Sequence, residues 1–203
     1  MATKGEATKE KLMNIAERHF LMSGFAATSI EVLINEAGIT KSGFFYHFDG
    51  KNDLVCALMH RYREQDALLF SGLFERAEEL TDDPLQQMLV FVKLLAEMME
   101  DLEGLHPGCL VASVTYESDQ VNEEVRGITT DSVKDWRRLF KEQIEKINSQ
   151  YTPKSESTSD DLADMLSTII EGGIVVSRAV NDPGILVKQL LEYRNYIRLL
   201  YSS

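Results

Sequence analysis

The stretch that most limits what this chain can fold into is Ala37-Gly38-Ile39-Thr40, followed by Lys41-Ser42-Gly43-Phe44-Phe45-Tyr46-His47-Phe48. Upstream, Ile30, Leu33, Ile34 and Ala37 recur at helical spacing. Downstream, three Phe and one Tyr fall within five residues before Asp49-Gly50 ends the run. Gly38 accepts the left-handed conformation that closes a helix, and Thr40 caps the helix that follows. Ala37 is small where the two helices must cross, and Ile39 is apolar beneath the turn. An earlier helix over residues 8–23 is predicted, with Thr8 as N-cap and Leu12, Ile15, Ala16, His19 and Phe20 along one face. Gly24 is its stop. Thr28 or Ser29 starts the second helix. Two helices joined by so short a turn, with a third packed behind, form a helix-turn-helix unit.

The remainder also carries helical periodicity and no convincing strand. A fourth helix is predicted from Lys51 to about Leu80, ended by Thr81-Asp82-Asp83-Pro84. Further helices are predicted over about 85–103, 109–118, 121–149, 160–181 and 184–201. Residues 151–159 form the most loop-like stretch. The expected fold is all-α, with a three-helix head over residues 1–50 and a helical body over 51–203.

Charge is distributed unevenly. The chain has a net charge of −12, which opposes non-specific attraction to nucleic acid. Residues 1–60 nonetheless carry 6 Lys+Arg against 7 Asp+Glu, so nearly all the excess acid lies in the body. A local DNA-facing surface on the head is compatible with that split. No apolar run approaches the ~18–20 residues of a membrane span. The opening MATKGEATKEKL has no apolar core of the signal-peptide kind. Cys56 and Cys109 are far apart and form no C-x-x-C pair, so a reducing, cytoplasmic setting is expected.

With those residues in view, positions 8–54 resemble the DNA-binding head of TetR-family transcriptional regulators. The resemblance rests on Ala37-Gly38-Ile39-Thr40, on Phe44-Phe45-Tyr46-His47-Phe48, and on Lys51 with Leu54. It implies that Phe44 and Phe48 pack the head, while Tyr46 and His47 touch the DNA backbone. Lys41, early on the recognition helix, is placed for guanine or phosphate. Thr40 caps that helix, and Ser42 and Gly43 let it approach the groove closely. Lys51 and Thr28 are expected to contact phosphates. Phe45 departs from the family pattern, where Tyr is common.

The same resemblance implies a homodimer on a palindromic double-stranded operator, a small-molecule effector, and a repressor released by that effector. Apolar stripes on the last two helices supply the expected dimer contact: Leu166, Ile170 and Gly173 on one, Leu190, Tyr193 and Ile197 on the other. Ligand-lining candidates are Phe91, Leu95, Met98, Met99, Cys109, Val114, Trp136, Phe140 and Val176. A thiol-sensing role for Cys109 is left open. No catalytic motif, metal-ligand spacing or cofactor signature stands out, so an enzyme is not expected. The alternative is a helical ligand- or partner-binding protein whose head no longer binds DNA.

Overall fold

The computed structural model describes residues 4–202; residues 1–3 and 203, at the outer ends of the expected head and body, lie outside them. Among the described residues all regular structure is helical. The order is α1 (Lys4–Ala27), α2 (Ile30–Ala37), α3 (Lys41–Phe45), α4 (Lys51–Leu80), α5 (Pro84–Glu100) and α6 (Leu110–Tyr116), a 3₁₀ turn (Ser118–Gln120), then α7 (Glu123–Asn148), α8 (Ser159–Val180) and α9 (Gly184–Leu200). The all-α expectation holds. Two details differ. The first helix begins before Thr8, which lies inside it, because Glu6 and its neighbours continue the turn and place acid at the helix start. Ser29 caps α2, its Oγ accepting the Val32 N–H at 3.3 Å.

The chain packs as two compact units, one of Met1–Gln65 with Pro107–Ser132, the other of Asp66–His106 with Val133–Ser203. A single cut at residue 50 therefore does not describe the packing. The head unit also takes the start of α4, all of α6 and the start of α7, because α6 turns its apolar side onto α1. Leu110, Val111 and Val114 of α6 are buried, as are Leu12, Ala16 and Phe20 of α1. Arg61 of α4 adds a polar tie: its guanidinium reaches Glu10 at 2.8 Å and Glu17 at 2.6 Å.

In the second unit α9 lies against α5 and α8. Four Phe rings, Phe70, Phe74, Phe91 and Phe140, cluster in this core, with Phe74 and Phe91 stacked at 3.9 Å between centroids. Thr158 and Asp161 form a reciprocal cap that starts α8. Arg194 Nε donates to the Leu89 carbonyl at 2.9 Å, and the buried Tyr193 hydroxyl donates to the Leu162 carbonyl at 3.0 Å. No helix of the described residues is long and apolar enough to cross a membrane.

The residues expected to join two copies are used inside this unit instead. Leu166, Leu190, Tyr193 and Ile197 are fully buried within the chain, and Gly173 is buried against Leu186. Only Ile170 is left half-buried. The strongest apolar stripe of each helix goes to the contact that folding itself must make. A second, weaker apolar face remains outside, with Met165, Val176 and Val180 on α8 and Tyr196 and Leu199 on α9 exposed. A shallow groove of about 320 Å³ between these helices is lined by Ile169, Gly172, Gly173, Val176, Ile185 and Gln189.

Candidate nucleic-acid interface

Gly38 closes α2 in the left-handed conformation, φ 68°, and the chain turns at once into α3. Thr40 Oγ1 accepts the Gly43 N–H at 3.1 Å, so the first turn of α3 is capped from its own side. Phe44 then points inward and is fully buried, with Phe48 beside it at 5.8 Å between ring centroids. Burying such rings contributes ~2 kcal/mol each, enough to set the rotation of a five-residue helix that has little stability of its own. That rotation decides what faces solvent. Thr40, Lys41 and Ser42 are exposed, Tyr46 is 81% exposed, and Gly43 and His47 are half-exposed. The Tyr46 and His47 rings meet edge to face at 4.9 Å. Phe45 lies edge-on to Phe44 at 5.4 Å and is itself 45% exposed, so it serves both packing and surface.

The exposed set can serve a DNA groove. It offers a cation, hydroxyls, a phenol and an imidazole beside a helix N-terminus with its positive dipole end. Behind it, Arg18 and His19 of α1 pair with Glu36 of α2, and His19 Nε2 lies 2.7 Å from Glu36 Oε2. These partners hold the Glu36 carboxyl below the usual carboxylate range. Lys11 Nζ donates to the Ala37 carbonyl at 2.7 Å, so the end of α2 is tied to α1 as well.

Two expected contacts turn inward. Thr28 is buried, and its hydroxyl donates to the Gly24 carbonyl at 2.9 Å. Lys51 Nζ donates to the carbonyls of Phe25 at 2.8 Å and Thr28 at 2.9 Å and sits 4.0 Å from the Phe25 ring centroid. Burial lowers the Lys51 pKa, with the nearby Glu117 carboxylate opposing that shift. A side chain with two carbonyl partners and an aromatic face is a clasp on the α1–α2 turn. The sequence shows a Lys at a helix start; it does not show carbonyls contributed from residues more than twenty positions upstream. Ser29, not Thr28, is exposed and caps the start of α2.

The ligand-lining candidates separate. Phe91, Leu95 and Phe140 are buried together in the second unit, with Met98, Met99 and Trp136 packed against that core. Trp136 Nε1 donates to Asp66 Oδ2 at 3.2 Å. Burial pushes the Asp66 carboxyl up to about 7, against the lowering effect of that hydrogen bond. Asp66 carries no periodicity signal, and nothing in the sequence marked it. Cys109, at the start of α6, and Val114, within it, are buried in the other unit, and Val176 is exposed on α8. Both cysteines are buried and neither is in a disulfide; burial pushes the Cys56 thiol up to about 11, with Glu124 adding to the shift.

Known proteins share this architecture. Residues 12–58 match the family described as bacterial regulatory proteins, tetR family. Residues 84–188 match the transcriptional regulator LmrA/YxaF-like C-terminal domain. The HTH-type transcriptional regulator LmrA of Bacillus subtilis is 27% identical over 84% of this chain and 86% of its own length. YxaF of the same organism, also an HTH-type transcriptional regulator, is 24% identical over 90% of both. Among solved structures, a TetR-family regulator from Agrobacterium tumefaciens superposes with a TM-score of 0.81 over 98% of this chain and all of that one, at 19% identity. One from Cytophaga hutchinsonii superposes at 0.79 over all of this chain and 99% of that one, at 17% identity.

Proposed function

The chain belongs to the TetR family of bacterial transcriptional regulators, and on that premise we propose that it is a homodimeric repressor that leaves a palindromic operator when a small molecule binds its body. The observation that carries this reading is the rotation of α3. With Phe44 and Phe48 buried behind it, Lys41 and Ser42 are exposed at the capped N-terminus of α3 and Tyr46 is exposed at its C-terminal end. Lys41 supplies base-edge or phosphate contact, Tyr46 and His47 the backbone contacts, and Thr40, Ser42 and Gly43 the close approach. Lys51 and Thr28 support this surface from behind.

One head of this size makes few contacts, and specificity requires two heads on half-sites about 34–36 Å apart. The outward apolar face of α8 and α9 supports pairing of two copies there, with Gly172 exposed at its centre. A small apolar effector would enter the second unit near Phe91, Phe140, Trp136, Met98 and Met99. It shifts the DNA-binding equilibrium only by its differential affinity for the two states of the dimer. A DNA-binding role supports a cytoplasmic setting.

The test is selection of binding sequences from a random duplex library at near-physiological salt. A palindromic motif, lost when Lys41 and Tyr46 are replaced by Ala, is the expected result. Recovery of no motif by folded protein would sink the proposal.

A further inference from the structure

The α1–α2 turn is gripped by two opposite charges. After Gly24, at φ 82° and ψ 168°, the chain resumes a short helical turn whose first amides have no helical carbonyl to donate to. Glu117, the residue that closes α6, fills that role from 92 positions away. Its Oε1 accepts the Phe25 N–H at 2.8 Å and its Oε2 accepts the Ala26 N–H at 2.7 Å. On the carbonyl side, the Lys51 ammonium holds Phe25 and Thr28. Carboxylate on the N–H end and ammonium on the C=O end both align with the peptide dipoles of this turn. Gly24 suits this turn because its backbone is in a region other residues rarely adopt, and a Cβ there would press on the Glu117 carboxylate. The next residues, Thr28 and Ser29, start α2, and α2 positions α3 through the Gly38 turn.

We infer that Glu117 is a positioning residue of the DNA-reading head: it ties the end of α6 to the α1–α2 turn, so that the angle at which α2 and α3 are presented depends on where α6 ends. Segment 107–132 is then part of the reading apparatus and not only of the body, in line with its packing in the head unit. The inference rests on the DNA-binding reading proposed above. It differs in locating control of the head at one carboxylate outside the helix-turn-helix.

The test uses full-length Glu117→Gln and Glu117→Ala beside the wild type. A carboxamide has one oxygen and no charge, so it can hold one of the two amides while keeping the shape of the side chain. Three readouts are taken: amide hydrogen exchange at Phe25 and Ala26, affinity for the selected operator, and the ratio of affinities for that operator and one with a base pair inserted between half-sites. In both variants the two amides should exchange faster, operator affinity should fall by about tenfold or more, and the spacing ratio should shrink. A purely structural carboxylate would lower the melting temperature and leave the spacing ratio unchanged. Retention of affinity and spacing ratio in Glu117→Gln, with the amides exchanging faster, overturns the inference even if Glu117→Ala fails to fold. A wild type that selects no duplex overturns the DNA-binding reading, and this inference with it, before any variant is compared.

Discussion

Gly173 of α8 and Leu186 of α9 meet so closely that a Cβ on Gly173 would stand 2.7 Å from Leu186 Cδ1 and 3.2 Å from its Cα. The Leu186 side chain can turn aside, but its Cα moves only with α9. Gly173→Ala should therefore separate the helices, and the ~1 kcal/mol of helix propensity gained is outweighed by ~1–3 kcal/mol of overpacking. Gly172 has nothing within 4 Å of the corresponding position. Gly172→Ala should leave the fold intact or stabilise it by up to ~1 kcal/mol. Urea unfolding of both variants checks the pair; a neutral Gly173→Ala would refute the close-packing argument.

The outward face of α8 and α9 gives a second expectation. Val176→Glu or Leu199→Glu places charge on an exposed surface, so each variant should keep wild-type helicity and single-chain stability. If two copies pair there, sedimentation should show the dimer weakened by tenfold or more, as a buried unpaired carboxylate costs several kcal/mol, roughly. Operator binding should fall in parallel. Unchanged dimerisation in both variants would remove this face from consideration.

Lys41 and Lys51 should behave differently although both are lysines of the head. Lys41 is exposed, and Lys41→Ala should weaken operator binding and lower the slope of log affinity against log salt by about 1. Lys51→Met should leave that slope unchanged and destabilise the head by ~1–3 kcal/mol, since two turn carbonyls lose their partner. Affinity measured from low to high salt, beside thermal melts, separates the roles. A reduced slope in Lys51→Met would mean that this ammonium contacts phosphate after all.

Asp66 predicts a pH dependence. Its folded-state pKa of about 7 lies above the ordinary Asp value. Between about pH 4 and 7 the unfolded chain has released this proton while the folded chain keeps it, so stability falls as pH rises through that window. Above about pH 7 both states are ionised and the loss is complete. Asp66→Asn keeps an acceptor for Trp136 and removes the titration. The stability difference between variant and wild type should thus grow in favour of Asn across the window, on the order of 2 kcal/mol after allowing for partial water contact. A difference that stays flat with pH would show that Asp66 ionises normally.

The head was largely legible because its signals are local. Gly38 and Thr40 act on the backbone within three residues, and the Phe44/Phe48 spacing sets one buried face whatever lies behind it. The partners that Thr28 and Lys51 have within the chain were not legible for the opposite reason: the Gly24, Phe25 and Thr28 carbonyls are backbone atoms with no identity in the sequence pattern. Glu117 was invisible on the same ground, as one acid among 33 Asp and Glu, distinguished only by two amides 91 and 92 positions away.

From the sequence alone came the helical class, the boundaries of α2 to α9 to within a few residues, the helix-turn-helix and its exposed cation, because periodicity, caps and turns are written in neighbouring residues. Tertiary structure decided which surface each apolar stripe covers. Leu166, Leu190, Tyr193 and Ile197 are apolar whether they face α5, each other or a second copy, and only packing within the chain assigns them to its own core. It also assigned Cys109 and Val114 to one unit and Phe91 and Phe140 to the other. Helical spacing determines which side of a helix is apolar, but the neighbour that side meets is set by the competition of all the helices for burial.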